Sequence, residues 1–155
     1  MTIVIVGGSL PFPPTAGNRI RTLNLLIRLA RRHRVILIAH RNPDGREEAE
    51  GIEHLRGHGI ETIIVEHVVP TKAGAMFYLR LAGNLVSPLP YSIASHVGDE
   101  VRRAVLELAA KEKVDVWQAE GLPFFEPLRA LKGAKTLIMA HNVESVIWRR
   151  YHETE

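Results

Sequence analysis

Long apolar runs and helically spaced apolar positions take turns along this chain. Ile3-Val4-Ile5-Val6 is β-branched throughout, as expected of a strand buried on both faces. Over residues 18–32, Ile20, Leu23, Ile27 and Ala30 recur at helical spacing with arginines elsewhere around the wheel, which predicts an amphipathic helix. Residues 35–39 read as a second buried strand, and Asn42-Pro43-Asp44-Gly45 as a turn. A polar helix over 47–56, closed by Gly57 and Gly59, leads to a third strand at 62–65. A helix is expected over 72–85, then the proline loop 87–91. The clearest helix follows at 96–111, with Val97, Val101, Ala104, Val105 and Leu108 in one stripe and Ser95 as its N-cap. A fourth strand at 114–118, a short helix at 124–131 closed by Gly133, and a fifth strand at 136–140 come next. Asn142 then caps a last helix through Trp148 and Tyr151.

This alternation predicts an α/β domain: a Rossmann-like, mostly parallel sheet with helices on both faces, formed by residues 1–155 as one domain. Ligands of such sheets bind beyond the carboxyl ends of the strands, at the topological switch point. Three segments belong at that edge: the loop from Gly7 to Arg21, Glu120-Gly121, and His141 to Ser145.

The first loop is the most informative of the three. Connections between a strand and the next helix usually take about 2–6 residues, and longer ones tend to be functional or disordered. Pro11, Pro13 and Pro14 stiffen this one, arguing against disorder. Gly17 permits close approach at a helix N-terminus, where amides and the helix dipole favour anions. Gly7-Gly8 and Gly17 are too far apart for the G-x-G-x-x-G dinucleotide fingerprint. His40-Arg41, after the second strand, imitates an NADP-phosphate site without that fingerprint.

The chain has 155 residues, 46% of them hydrophobic, a formal charge of +3 and no cysteine. Disulfides and thiolate metal sites are thereby excluded, and a cytoplasmic setting is expected. The mild basicity falls short of a dedicated nucleic-acid binder. It suits an anionic ligand or an acidic membrane surface. No apolar run approaches the ~18 residues of a membrane span.

Arg19 and Arg21 flank Gly17 and can pair with phosphate; Arg28, Arg31, Arg32 and Arg34 read more simply as a solvated face. His141 serves equally as a catalytic group or as a residue leading into a helix. Asn142 is explained by capping, Glu144 by dipole complementarity and Glu120 by a loop position. The histidines lack ligand spacing, so no metal site is expected.

Together these segments resemble the N-terminal Rossmann-like half of a GT-B glycosyltransferase of glycosyltransferase family 4. PFPPTAGNRIRTLNLLIRLARRHRVILIAH is similar to that family's opening strand, proline loop, glycine, arginine and long helix. VDVWQAEGLPFFEPL is similar to its "pDvv…E" strand and loop, and TLIMAHNVESVIWRRY to its "HN-x-E" segment. The likeness spans residues 3–151.

The resemblance implies retaining transfer from a nucleotide-sugar donor to a glycan, lipid-linked or small-molecule acceptor. His141 would face the transferring sugar as the catalytic residue. Gly17, Asn18 and Arg21 would lie near the donor diphosphate, and Glu120, Asn142 and Glu144 would shape the cleft. No cofactor is expected, and the lack of D-x-D agrees with metal independence. The donor-binding C-terminal domain and its E-x7-E element are not in this sequence, so the chain alone is expected to be inactive. A cytoplasmic protein is implied, with peripheral contact at the inner membrane face and no nucleic-acid partner. The alternatives are a stand-alone nucleotide- or NADP-binding module and a non-enzymatic α/β interaction domain. The latter would be apposed to a membrane through the arginine-rich first helix and residues 76–79.

Overall fold

The computed structural model describes residues 1–140 and 144–154. Five parallel strands form one sheet in the order β3-β2-β1-β4-β5: β1 Thr2–Val6, β2 Arg34–His40, β3 Ile60–Val65, β4 Val116–Glu120 and β5 Thr136–Met139. This is a Rossmann-like α/β fold, and its strand order reverses between β1 and β4.

Strand alternation splits the core into two layers. Ile3, Ile5, Val35, Leu37 and Ala39 pack against Leu23 and Leu26 of α1 (Gly17–Ala30) and Leu55 of α2 (Gly45–Gly57). Val4, Val6, Ile36, Ile38 and Trp117 face the other way, against Val101, Val105 and Leu108 of α5 (Asp99–Lys111). Each fully buried aliphatic side chain contributes about 1.5–3 kcal/mol by leaving water, which is why the β-branched runs sit at the centre of the sheet. The first loop is anchored here too: Leu10 is buried and Phe12 stacks on His54 with ring centroids 4.2 Å apart.

Several local expectations are corrected. Thr22, Leu23 and Leu26 are the buried residues of α1, whereas Ile20 is exposed. Asp44 is the N-cap of α2, accepting from the amides of Arg46 (2.9 Å) and Glu47 (3.2 Å). The helix expected over 72–85 is shorter: α3 runs Ala75–Gly83 and tightens into a 3-10 turn, Asn84–Val86.

Ser95 does not cap α5. It ends the one-turn helix α4 (Tyr91–Ala94), and α5 begins after Gly98. β4 starts at Val116 because Asp115 closes its lead-in, accepting from the Thr2 amide at 2.7 Å and donating its own amide to Thr2 O at 2.9 Å. The helix expected over 124–131 is a pair of 3-10 turns, Leu122–Phe125 and Pro127–Ala130. Pro127 has no N–H to give an α-helix, and its ring clashes with the preceding turn.

β5 is less covered than its apolar sequence suggests, with Leu137 47% and Ile138 38% exposed. α6 runs Glu144–Thr154. No helix among the described residues is long and apolar enough to cross a membrane.

Candidate functional site

Because β1 and β4 are neighbours at the order reversal, their carboxyl ends bring Gly7 and Glu120 together. A Cβ on Gly7 would stand 3.3 Å from the Cβ of Glu120. α1 leaves the first loop beside them, and Thr22, one turn into the helix, faces the same point. Its Oγ1 donates to Glu120 Oε1 at 2.7 Å, while Gln118 Nε2 donates to Glu120 Oε2 at 3.0 Å. The carboxylate is therefore oriented by a hydroxyl from α1 and an amide from its own strand.

A cavity of about 360 Å³ opens at this switch point, lined by Gly8, Ser9, Asn18, Thr22, His96 and Glu120 among others. A second of about 230 Å³ lies toward β2 and β3, bounded by His40, Asn42 and His67. The two share Gly8, Ser9, Arg19 and Val69, so they form one branched cleft. Gly8 is required between them: a Cβ there would meet the buried Phe124 ring at 2.8 Å.

The second branch is built on imidazoles. His40 ends β2, is 4% exposed, and packs against His67 and Phe124 with ring centroids 4.7 and 5.5 Å away. Neither of its ring nitrogens makes a well-formed hydrogen bond, and the nearby His96 backbone offers only a weak one. Burial, with His67 and His96 nearby, pushes its pKa down to about 4, so the ring is neutral at pH 7. His96 is also lowered, chiefly by burial. His67 Nε2 lies 3.1 Å from Ser95 O, which ties the chain after β3 to the end of α4.

The arginines at the cleft are engaged by carboxylates. Arg19 Nη1 bonds Glu47 Oε1 at 3.2 Å. Arg41 pairs with Glu66 at 2.5 Å and Glu48 at 3.6 Å. The cleft thus offers neutral imidazole, hydroxyl and amide groups together with one oriented carboxylate, a set suited to hydrogen-bonding a polar ligand.

Of the residues singled out in the sequence, Asn18 and Glu120 meet in one cavity. Gly17 is exposed at the first position of α1, with nothing within 4 Å of where a Cβ would stand. Arg21 is exposed on α1 and lines neither branch. His141 and Asn142 lie outside the described residues, as does the side chain of Glu144, whose backbone begins α6.

Nothing in the sequence marks Thr22, Gly8 or Phe124 as site residues, and His67 and His96 stand there only as histidines without ligand spacing. Only the position of His40 at a strand's carboxyl end carries a usable signal. Among the described residues, no three His, Asp or Glu side chains are grouped to hold a metal ion. No protein-family profile matches the chain, and no curated protein matches it.

Proposed function

We propose that the chain is the acceptor-side half of a retaining GT-B glycosyltransferase, which moves a sugar from a nucleotide-sugar donor to a glycan, lipid-linked or small-molecule acceptor. The observation that carries this reading is the convergence of Asn18, Thr22 and Glu120 on one cavity at the switch point. Those residues belong to two of the segments on which the family resemblance rests. An oxocarbenium-like centre and a departing diphosphate need positioning and preorganised dipoles more than a strong base. In this reading the start of α1, at Gly17 and Asn18, faces the diphosphate, Arg21 lies nearby, and Glu120 orients a sugar or acceptor hydroxyl. His141 acts at the transferring sugar, and Asn142 and Glu144 help to shape the cleft. The diphosphate itself is held mainly by a second, donor-binding domain.

The test is nucleoside diphosphate release from UDP- and GDP-sugars by the chain joined to such a domain. Acceptor-dependent release is expected, and His141→Ala should cut turnover by about 10²-fold or more. The chain alone should bind neither donor class in calorimetry. Sub-millimolar donor binding by the chain alone would overturn the divided site. Saturable NADP binding would favour a stand-alone dinucleotide module.

A further inference from the structure

The carboxyl end of α2 carries two histidines. His54 lies in its last turn, and His58, four positions on, is its C-cap. That spacing puts both imidazoles on one side of the helix, a turn apart. Their ring centroids stand 4.9 Å apart, with the planes inclined at 66°. Phe12 of the first loop stacks on His54 at 4.2 Å and 19°, which sets the plane of that ring. Among the described residues, the well-formed hydrogen bonds and ion pairs of histidine rings fall on His67 and His96, so the ring nitrogens of His54 and His58 are unengaged.

We propose that this end of α2 chelates a divalent transition metal of the zinc, nickel or copper kind through His54 and His58. Imidazole suits these ions, whereas magnesium and calcium prefer oxygen. A metal about 2.0–2.1 Å from one nitrogen of each ring lies about 3.2 Å from each ring centroid, so centroids 4.9 Å apart correspond to an angle of about 100° at the metal. That falls between the square and tetrahedral angles these ions adopt. His54-Leu55-Arg56-Gly57-His58 has the histidine spacing of the H-E-x-x-H zinc motif but not its glutamate, which serves there as general base. The pair therefore holds a metal without equipping it for hydrolysis. Two side chains chelate when water completes the coordination, so no cluster of three is needed. A metal here is contrary to the sequence expectation of none.

The electrostatics of the position favour a cation. The dipole of a helix attracts positive charge to its last turn. Arg56, between the two histidines in sequence, is paired with Glu53 at 2.8 Å. A metal on His54 would fix the ring on which Phe12 stacks, and so brace the first loop against α2. Leu10 of that loop already packs on the same helix at Gly51, where a Cβ would stand 3.1 Å from its Cδ1. Neither histidine lines either branch of the cleft. The metal takes no part in sugar transfer, so this site and the glycosyltransferase reading stand or fall separately.

The experiment is calorimetric titration of the tag-free 155-residue chain with zinc chloride, with nickel and magnesium chlorides alongside. Saturable binding of zinc and of nickel is expected, and none of magnesium. His58→Ala, at an exposed position, should leave the metal-free melting temperature unchanged and weaken zinc binding about tenfold or more. Zinc should raise the melting temperature of the chain but not that of His58→Ala. His152→Ala, at an exposed position on α6, should bind zinc as the unaltered chain does. In NMR spectra, paramagnetic nickel should broaden the imidazole signals of His54 and His58 and the ring signals of Phe12 before those of any other histidine. No zinc binding at millimolar concentration would overturn the inference. So would zinc binding undiminished in His58→Ala, or nickel broadening centred on other histidines.

Discussion

Thr22 and Glu120 stand 98 positions apart in sequence and are joined by a 2.7 Å hydrogen bond across the switch point. The bond fixes the N-terminal half of α1 against the end of β4 and aims the carboxylate at the cleft. Thr22→Val keeps the side-chain volume and removes the donor. Hydrogen bonds to charged groups contribute about 1.5–3 kcal/mol, so urea unfolding should register a loss of that order. Thr22→Ser, which keeps the hydroxyl, should recover most of it.

Gly8 lies where the two branches of the cleft join. A Cβ there would lie 2.8 Å from Phe124, whose buried ring also packs on His40. Gly8→Val should therefore cost about 1–3 kcal/mol, as overpacked sites do. Gly17→Ala, with open space around its Cβ, should not destabilise. Thermal unfolding of the two variants side by side separates a steric demand from a general intolerance of glycine replacement.

The strands were legible because parallel strands buried on both faces read as continuous apolar runs. The same feature hid the exposure of β5, since Thr136 to Met139 looks as apolar as a central strand. Ser95 resembled an N-cap because an apolar stripe follows it, but Gly98 breaks that stripe and the serine instead ends α4. Pro127 should have argued against a helix, and the turns around it are 3-10. At the site, Glu120 was legible from the rule that ligands meet the carboxyl ends of strands. Thr22 was not, because its partner Glu120 lies 98 positions away in sequence, at the end of β4. The imidazoles were not legible either: His40 and His67 line one branch and His96 the other, they have no common spacing, and they come near one another only through the segment between β3 and α5.

The imidazole branch makes stability depend on pH. His40 has a folded-state pKa of about 4, against an ordinary 6.5. Above pH 6.5 the ring is neutral in both folded and unfolded chains, and its contribution is fully present. Between pH 6.5 and 4 the unfolded chain takes up a proton that the folded chain refuses, so stability falls as pH drops. Below pH 4 both forms are protonated and the loss is complete, at about 3 kcal/mol or less for a shift of this size. Urea midpoints measured from pH 7.5 to 4 should show this decline, and His40→Phe should flatten it. An equal slope in the variant would place the dependence on other groups.

Ala16 precedes α1 with extended backbone, φ −134° and ψ 153°, the geometry of an N-cap, yet it supplies no side-chain cap. Asn18 Oδ1 accepts from the Arg19 amide at 2.9 Å, but no acidic residue occupies the first turn. α2 begins quite differently, with Asp44 capping it and Glu47 and Glu48 in its first turn. Replacing alanine by aspartate at such a position commonly gains about 0.5–2 kcal/mol, so Ala16→Asp should raise the melting temperature of the chain. If the start of α1 faces a diphosphate, as proposed, the added carboxylate competes for the same amides and repels the ligand. When the chain is joined to a donor-binding domain, the variant should then be more stable and bind a nucleotide-sugar more weakly. Ala16→Ser, capping without charge, should keep part of the stability and most of the affinity. Undiminished donor affinity in Ala16→Asp, alongside the expected gain in melting temperature, would leave the first loop a structural connection and move the diphosphate elsewhere.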